Sequence, residues 1–156
     1  MNNVIIQNAS IADAPCISKV LLDSFIQFKS FYTPQAFAAT TVSADEVLKR
    51  LKEGNVWVAV KDEHIMGTVA VVKQGNDLYI RGMAVLPEAR GLQIGWKFLE
   101  HIQQYAMENN FKCLFLSTTP YLPSAIHLYK KFGFEQIGEV DNSFYGSLIF
   151  TMKKLL

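Results

Sequence analysis

Two apolar runs, LYIRGMAVL at 78–86 and KCLFLS at 112–117, are joined by a single stretch. It opens on proline, arginine and glycine, then repeats Phe98, Leu99, Ile102 and Ala106 at helical spacing. A strand, a crossover helix and a strand imply a parallel pair. Around this unit the pattern is different. VWVAVKD and HIMGTVAVVKQ, with the polar turns Asp62-Glu63 and Gln74-Gly75-Asn76-Asp77, read with LYIRGMAVL as three consecutive antiparallel strands. FEQIGEV and SLIFTMKKL supply two more strands at the end of the chain. The expected fold class is therefore α+β: a mixed, mostly antiparallel sheet with one parallel pair near its middle, flanked by helices.

Helices are marked by their ends. Ser10 and Asp13 form a capping box for a first helix starting near Ile11, with Ile17, Val20, Leu21 and Phe25 on one face. Ser43 and Glu46 repeat the device for a second helix carrying Val47, Leu48 and Leu51, and Gly54 stands where a left-handed C-terminal residue is expected. Between them FIQFKSFYTPQAFAATT is dense in aromatics and has no clean period. SAIHLYKKF forms a short helix closed by Gly133. With 156 residues and no internal repeat or linker, residues 1–156 are expected to form one domain.

Composition removes several functions. Fifteen basic residues against 14 acidic ones leave a net charge of +1, which argues against a nucleic-acid partner held by phosphate contacts. No apolar run approaches a membrane span, and MNNVIIQNAS lacks a basic leader, so neither membrane nor export is expected and the cytosol is the expected compartment. Cys16 and Cys113 lie within apolar patterns and are expected to be buried free thiols. The histidines His64, His101 and His127 have no metal-ligand spacing and are expected at the surface or in packing.

The chemistry centres on the loop that enters the crossover helix. Arg90, Gly91 and Gly95 surround a helix start, where unpaired backbone N–H groups form an anion site and an arginine adds fixed charge suited to a pyrophosphate. The spacing fits neither the P-loop nor the dinucleotide fingerprint, since residues 91–96 read GLQIGW.

MAVLPEARGLQIGWKFLEH resembles motif A of the GNAT superfamily of acyl-CoA-dependent N-acetyltransferases, R/Q-x-x-G-x-G/A, with Arg90 and Gly95 at its ends. SAIHLYKKFGFEQIG is similar to a second signature of that family, A-I-x-L-Y-x-x-x-G-F, through Ala125, Ile126, Leu128, Tyr129, Gly133 and Phe134. The resemblance covers essentially the whole chain. It implies acetyl-CoA as acyl donor, a parallel pair splayed into a wedge, Met83, Ala84 and Val85 binding the pantetheine arm, and Arg90, Gly91, Leu92, Gln93, Ile94, Gly95 and Trp96 binding the pyrophosphate. It implies Tyr129 as the catalytic proton donor to the coenzyme A sulfur. No metal is implied.

Two positions depart from the family pattern. Gln93 replaces the first motif glycine, so its side chain must point away from the phosphates or donate its amide to them. Leu122 stands where many members carry asparagine, removing one cofactor contact. The strand before motif A also lacks the glutamate that relatives use as base, so the base is expected to be a water chain or a residue of another element; Glu88, just beyond the strand, reads as solvated.

The resemblance makes the aromatic segment an acceptor lid, with Phe28 and Tyr32 as candidate acceptor contacts. Arg81, on the face that alternation assigns to Tyr79 and Met83, could bind an acidic group of the acceptor or cover the sheet; Ser117 and Thr118 could line the site or end their strand. The expected partner is a primary amine of a small molecule or peptide, with the protein a monomer or homodimer. Two rivals stand beside this: an acyl-CoA-binding module that has lost transfer, and an interaction domain without a cofactor.

Overall fold

The computed structural model describes residues 3–156. In chain order it contains β1 (Ile5–Asn8), α1 (Ala14–Phe25), α2 (Pro34–Thr40), α3 (Ala44–Glu53), β2 (Val56–Lys61), β3 (His64–Gln74), β4 (Asp77–Val85), α4 (Ile94–Glu108), β5 (Cys113–Thr118), α5 (Pro123–Phe132), β6 (Glu135–Phe144) and β7 (Ser147–Leu155). The strands form one sheet in the order β1-β2-β3-β4-β5-β7-β6. Every pairing is antiparallel except β4 with β5, as the strand–helix–strand pattern requires.

Strand alternation divides the core into two layers. Trp57, Val69, Leu78, Ile80 and Leu114 face α4 and α5, where they meet Phe98, Leu99, Ile102 and Phe134. Val58, Ala70 and Ala84 face α1 and α3, where they meet Ile17, Val20, Leu21 and Val47. A large apolar side chain such as Phe98, with no exposed surface, contributes about 1.5–3 kcal/mol by leaving water. The helix faces read from spacing are thus the buried ones. Among the described residues no helix is long and apolar enough to cross a membrane.

Three local expectations change. The α-helical register of α1 starts at Ala14 after a 3-10 turn over Ile11–Asp13, because Pro15 has no N–H to offer the Ile11 carbonyl. The Ser10 N–H still donates to Asp13 Oδ2 at 2.8 Å, the return bond of the expected capping box. Gly54 is extended (φ −176°) and not left-handed; glycine is needed there because a side-chain carbon would collide with the Val71 carbonyl. Cys16 is exposed on α1, whereas Cys113 is buried as expected, and both are free thiols.

The aromatic segment is ordered by its own contacts. Residues 26–31 make a 3-10 helix, and Thr33 caps α2 by accepting from the Ala36 N–H at 3.2 Å. Thr33 also donates from its hydroxyl to the Tyr145 carbonyl at 2.7 Å, tying the segment to the β6–β7 turn. Tyr32, Ala36 and Phe37 form a small core of their own with Phe25, Phe28 and Phe144.

Candidate active site

The parallel pair is short. β4 and β5 are in register only from Asp77–Cys113 to Ile80–Leu116, after which β4 runs on to Val85 with no partner on that edge. The cause is visible in the β3–β4 ladder. Thr68 pairs with Ala84 and Ala70 with Arg81, so Val69 faces two residues, Gly82 and Met83. This is a β-bulge with glycine in the left-handed region (φ +62°), a device that bends a strand and increases its twist. The glycine inside the run LYIRGMAVL was the signal for it. The wedge expected between the two strands opens from this point.

The bulge also reverses side-chain parity along β4. Leu78 and Ile80 belong to the α4-side core, Ala84 belongs to the α1-side core, and Met83 and Val85 pack on the α4 side. Arg81 therefore lies on the opposite face from Met83, which corrects the face expected from unbroken alternation. The Arg81 Nη2 reaches Glu53 Oε1 of α3 at 3.0 Å.

On the α4 side a cleft of about 630 Å³ runs along the open edge of β4 to the start of α4. Met83, Ala84, Val85, Arg90, Gly91, Gln93, Ile94, Gly95 and Trp96 line it, so nine of the ten expected cofactor contacts converge. Leu92 instead packs against the α4-side core. Phe28, expected at the acceptor, lines this same cleft with Ser24 and Phe25 of α1.

The cleft fits an acyl-CoA. The N–H groups of Gly91, Gln93, Ile94, Gly95 and Trp96 have no hydrogen-bond acceptor among the described residues, and they cluster at the N-terminus of a 15-residue helix. Arg90 stands beside them, and with its oxygen turned toward Arg90 the Gln27 carboxamide accepts from both terminal nitrogens at 2.8 and 2.9 Å. The open edge of β4 offers unpaired backbone groups to an amide-bearing chain such as pantetheine. The Ser24 hydroxyl is buried in the cleft wall with no hydrogen-bond partner among the described residues, a polar atom that a bound molecule would satisfy.

Gln93 is the N-cap of α4 and has φ +59°. That backbone conformation costs a side-chain residue about 1–2 kcal/mol, which gives a physical reason for a glycine at this motif position. Gln93 is exposed and its side chain makes no capping bond, so the loop tolerates it without using it as a cap.

A second cavity of about 150 Å³ lies where the strands part. Tyr32, Arg81, Ser117, Thr118 and Tyr129 all line it, bringing together the remaining acceptor candidates and the candidate acid. Met83, Leu122 and Tyr129 belong to both cavities, so the two meet at these side chains. Leu122, the departure from asparagine, places an apolar group at that junction.

Tyr129 is buried on α5 with its ring against Phe134 at 6.0 Å, and its hydroxyl makes no hydrogen bond among the described residues. Burial, with a smaller effect from Tyr32, pushes its phenol up to about 12. Tyr129 is therefore a neutral O–H donor at any physiological pH. The Tyr32 phenol is also raised by burial, partly offset by a hydrogen bond with Thr119.

No carboxylate or imidazole lines the smaller cavity. His101 packs edge-on against Trp57 at 4.9 Å, and burial lowers its pKa. His64 is the first residue of β3, just after the β2–β3 turn, with Nδ1 2.7 Å from the Asp62 carbonyl. His127 is exposed on α5, where it does line the larger cleft. Among the described residues no cluster of ligating side chains could hold a metal ion. Ser24 in the cleft wall, Gln27 against Arg90 and Gly82 at the bulge are among the site residues that sequence patterns did not single out.

Comparison with known proteins agrees with this geometry. The sequence profile of the Acetyltransferase (GNAT) family matches residues 22–134. A PaiA N-acetyltransferase from Thermoplasma acidophilum, solved in complex with coenzyme A, superposes with a TM-score of 0.85 at 18% identity, covering 99% of each chain. A GNAT family acetyltransferase from Elizabethkingia anophelis, solved with acetyl-CoA bound, gives a TM-score of 0.76 at 18% identity over the full length of both. N-acetylaspartate synthetase of Danio rerio is 32% identical over 88 residues, 55% of this chain and 31% of that protein. The first curated relatives are matched over 31%, 52% and 47% of their own lengths. With the profile covering more than half of the chain, and the splayed sheet and both signatures in place, the chain belongs to the GNAT acetyltransferase family, whose acyl donor is acetyl-CoA.

Proposed function

We propose that this chain is an acetyl-CoA-dependent N-acetyltransferase that moves the acetyl group directly to a primary amine of a small molecule or peptide. The observation that carries the reading is Tyr129, a buried and protonated phenol at the junction of the two cavities. A pure acyl-CoA-binding module has no use for a proton donor at that point. The name of one relative, N-acetylaspartate synthetase, denotes an acetylated amino acid, in keeping with a small acceptor.

The bound thioester supplies an electrophilic carbonyl carbon and a thiolate leaving group. The amine nitrogen bonds to that carbon, the carbon–sulfur bond breaks, and the Tyr129 O–H delivers its proton to the sulfur. The amine's surplus proton passes to water, since no carboxylate or imidazole among the described residues lines the smaller cavity, and the Tyr129 phenolate regains a proton from solvent. The backbone N–H groups at the start of α4, with Arg90 held by Gln27, fix the pyrophosphate end of the donor.

Release of the coenzyme A thiol, measured across a panel of primary amines, tests the reading. Turnover with at least one amine is expected, together with kcat/KM that rises with pH as that amine deprotonates. Because Tyr129 stays protonated up to about 12, no fall is expected between pH 8 and 10. Tight acetyl-CoA binding with no thiol release from any amine would return the protein to the binding-module alternative.

A further inference from the structure

The smaller cavity has a charged wall that the transfer step leaves unused. Arg81 reaches from β4 to Glu53 at 3.0 Å, and Arg50 of α3 brings a second guanidinium against Gly82. The Arg50 Nη1 lies 2.6 Å from where a side-chain carbon on residue 82 would stand, and both Arg81 and Gly82 line the cavity. Among the described residues Arg50 has no carboxylate within ion-pair distance: Glu46 is turned to Lys49 at 3.8 Å and Glu53 to Arg81. The Nε atoms of both arginines are buried and lack hydrogen-bond partners among the described residues.

This arrangement is unfavourable by itself. Burial, followed by the adjacent Arg81 charge, lowers the Arg50 pKa, and Glu46, Tyr79 and Glu53 each oppose that shift by less. Arginine nevertheless keeps its charge in proteins, so two like charges stand near one another, Arg81 in the cavity lining and Arg50 against Gly82, and of the two only Arg81 is paired with a carboxylate among the described residues. An anion joining both forks replaces repulsion with attraction, and paired guanidinium N–H groups match a planar carboxylate. The cavity, about 150 Å³, holds a small molecule.

We propose that the acceptor is a small amine that carries a carboxylate, an amino acid in chemical class, and that Arg50 and Arg81 hold this carboxylate while the amine faces Tyr129. The proposal rests on the acetyl-transfer reading and adds to it the acceptor's second recognition group. Glu53 orients the Arg81 fork and leaves its remaining donors for the acceptor.

The test compares amino acids with their own α-amides in the thiol-release assay, the alanine and glycine pairs first, since their amides keep no carboxylate. The amide's amine is less basic and more of it is neutral, so a preference for the acid runs against intrinsic reactivity. The native protein is expected to favour acid over amide by about tenfold or more in kcat/KM. In Arg50→Met and Arg81→Met that preference falls toward one through the acceptor KM, while the KM for acetyl-CoA changes less than about twofold. Arg50→Lys and Arg81→Lys, which keep charge but lose the fork, fall between.

Equal use of acids and amides by the native protein overturns the proposal and leaves acetyl transfer standing, as does a preference that survives both methionine variants. If no amine releases thiol, the transfer reading fails instead. Calorimetry on the coenzyme A-loaded native protein then decides the subsite. Alanine binding about tenfold tighter than its α-amide supports it, and equal or absent binding overturns it. The native acid-to-amide ratio needs no variant and holds even if the substitutions unfold the protein.

Discussion

The two cavities that meet at Tyr129 are built from different materials. The larger cleft is largely backbone: the unpaired N–H groups at the start of α4 and the open edge of β4, supplied by one continuous stretch from Met83 to Trp96. The smaller cavity is side chains, drawn from the aromatic segment, β4, β5, α5 and β6. Backbone chemistry is the same in every residue, so such a site depends on where glycine and arginine fall and tolerates change at Gln93. A site made of side chains from separate elements can be altered one group at a time, which suits the part of the molecule that must choose an acceptor.

Three changes break or sharpen this contrast, from the largest effect to the smallest. Replacing Arg90 by alanine removes a fixed charge that the backbone site borrows from a side chain. The acetyl-CoA dissociation constant, read by calorimetry, is expected to rise about 10–100-fold, with the acceptor KM unchanged. A matching rise in acceptor KM erases the division of labour between the cavities.

Gly82→Ala tests the hinge between them. The left-handed backbone costs alanine about 1–2 kcal/mol in a urea unfolding series, and the new methyl displaces the Arg50 guanidinium. Acceptor KM is expected to rise while acetyl-CoA affinity holds. An alanine variant as stable as the native protein contradicts the strained bulge as the origin of the wedge.

Gln93→Gly is expected to stabilise the fold by about 0.5 kcal/mol, the relief of a left-handed glutamine less the added flexibility of glycine. Weaker acetyl-CoA binding in that variant means the Gln93 amide is itself a phosphate ligand. Unchanged or tighter binding leaves the backbone as the whole of the grip.

This division also governs what could be read in the sequence. Capping residues, the apolar faces of α1, α3 and α4, and the strand–helix–strand crossover are local patterns, and each is found where its pattern put it. The loop that enters α4 was legible for the same reason, since its geometry is written in consecutive residues. Arg81 was singled out, but its face was misread because one glycine shifts the parity of everything after it in β4. Arg50 was invisible: it lies on an ordinary amphipathic helix, and only the packing of α3 on the bulge brings it to Gly82. Ser24, a hydroxyl three residues after Leu21 on an apolar helix face, was a polar group at a core position and carried a faint signal. Phe28, an expected acceptor contact, lines the larger cleft and not the smaller cavity, because the fold of the aromatic segment turns it there.

The central claim is that the two cavities converge on a proton donor. The direct measurement is the single substitution Tyr129→Phe, which leaves the ring against Phe134 and removes only the hydroxyl. The account predicts a fall in kcat of about 100-fold or more, with acetyl-CoA affinity changed less than about twofold. A variant that turns over at the native rate, or loses acetyl-CoA binding in step with its activity, contradicts it.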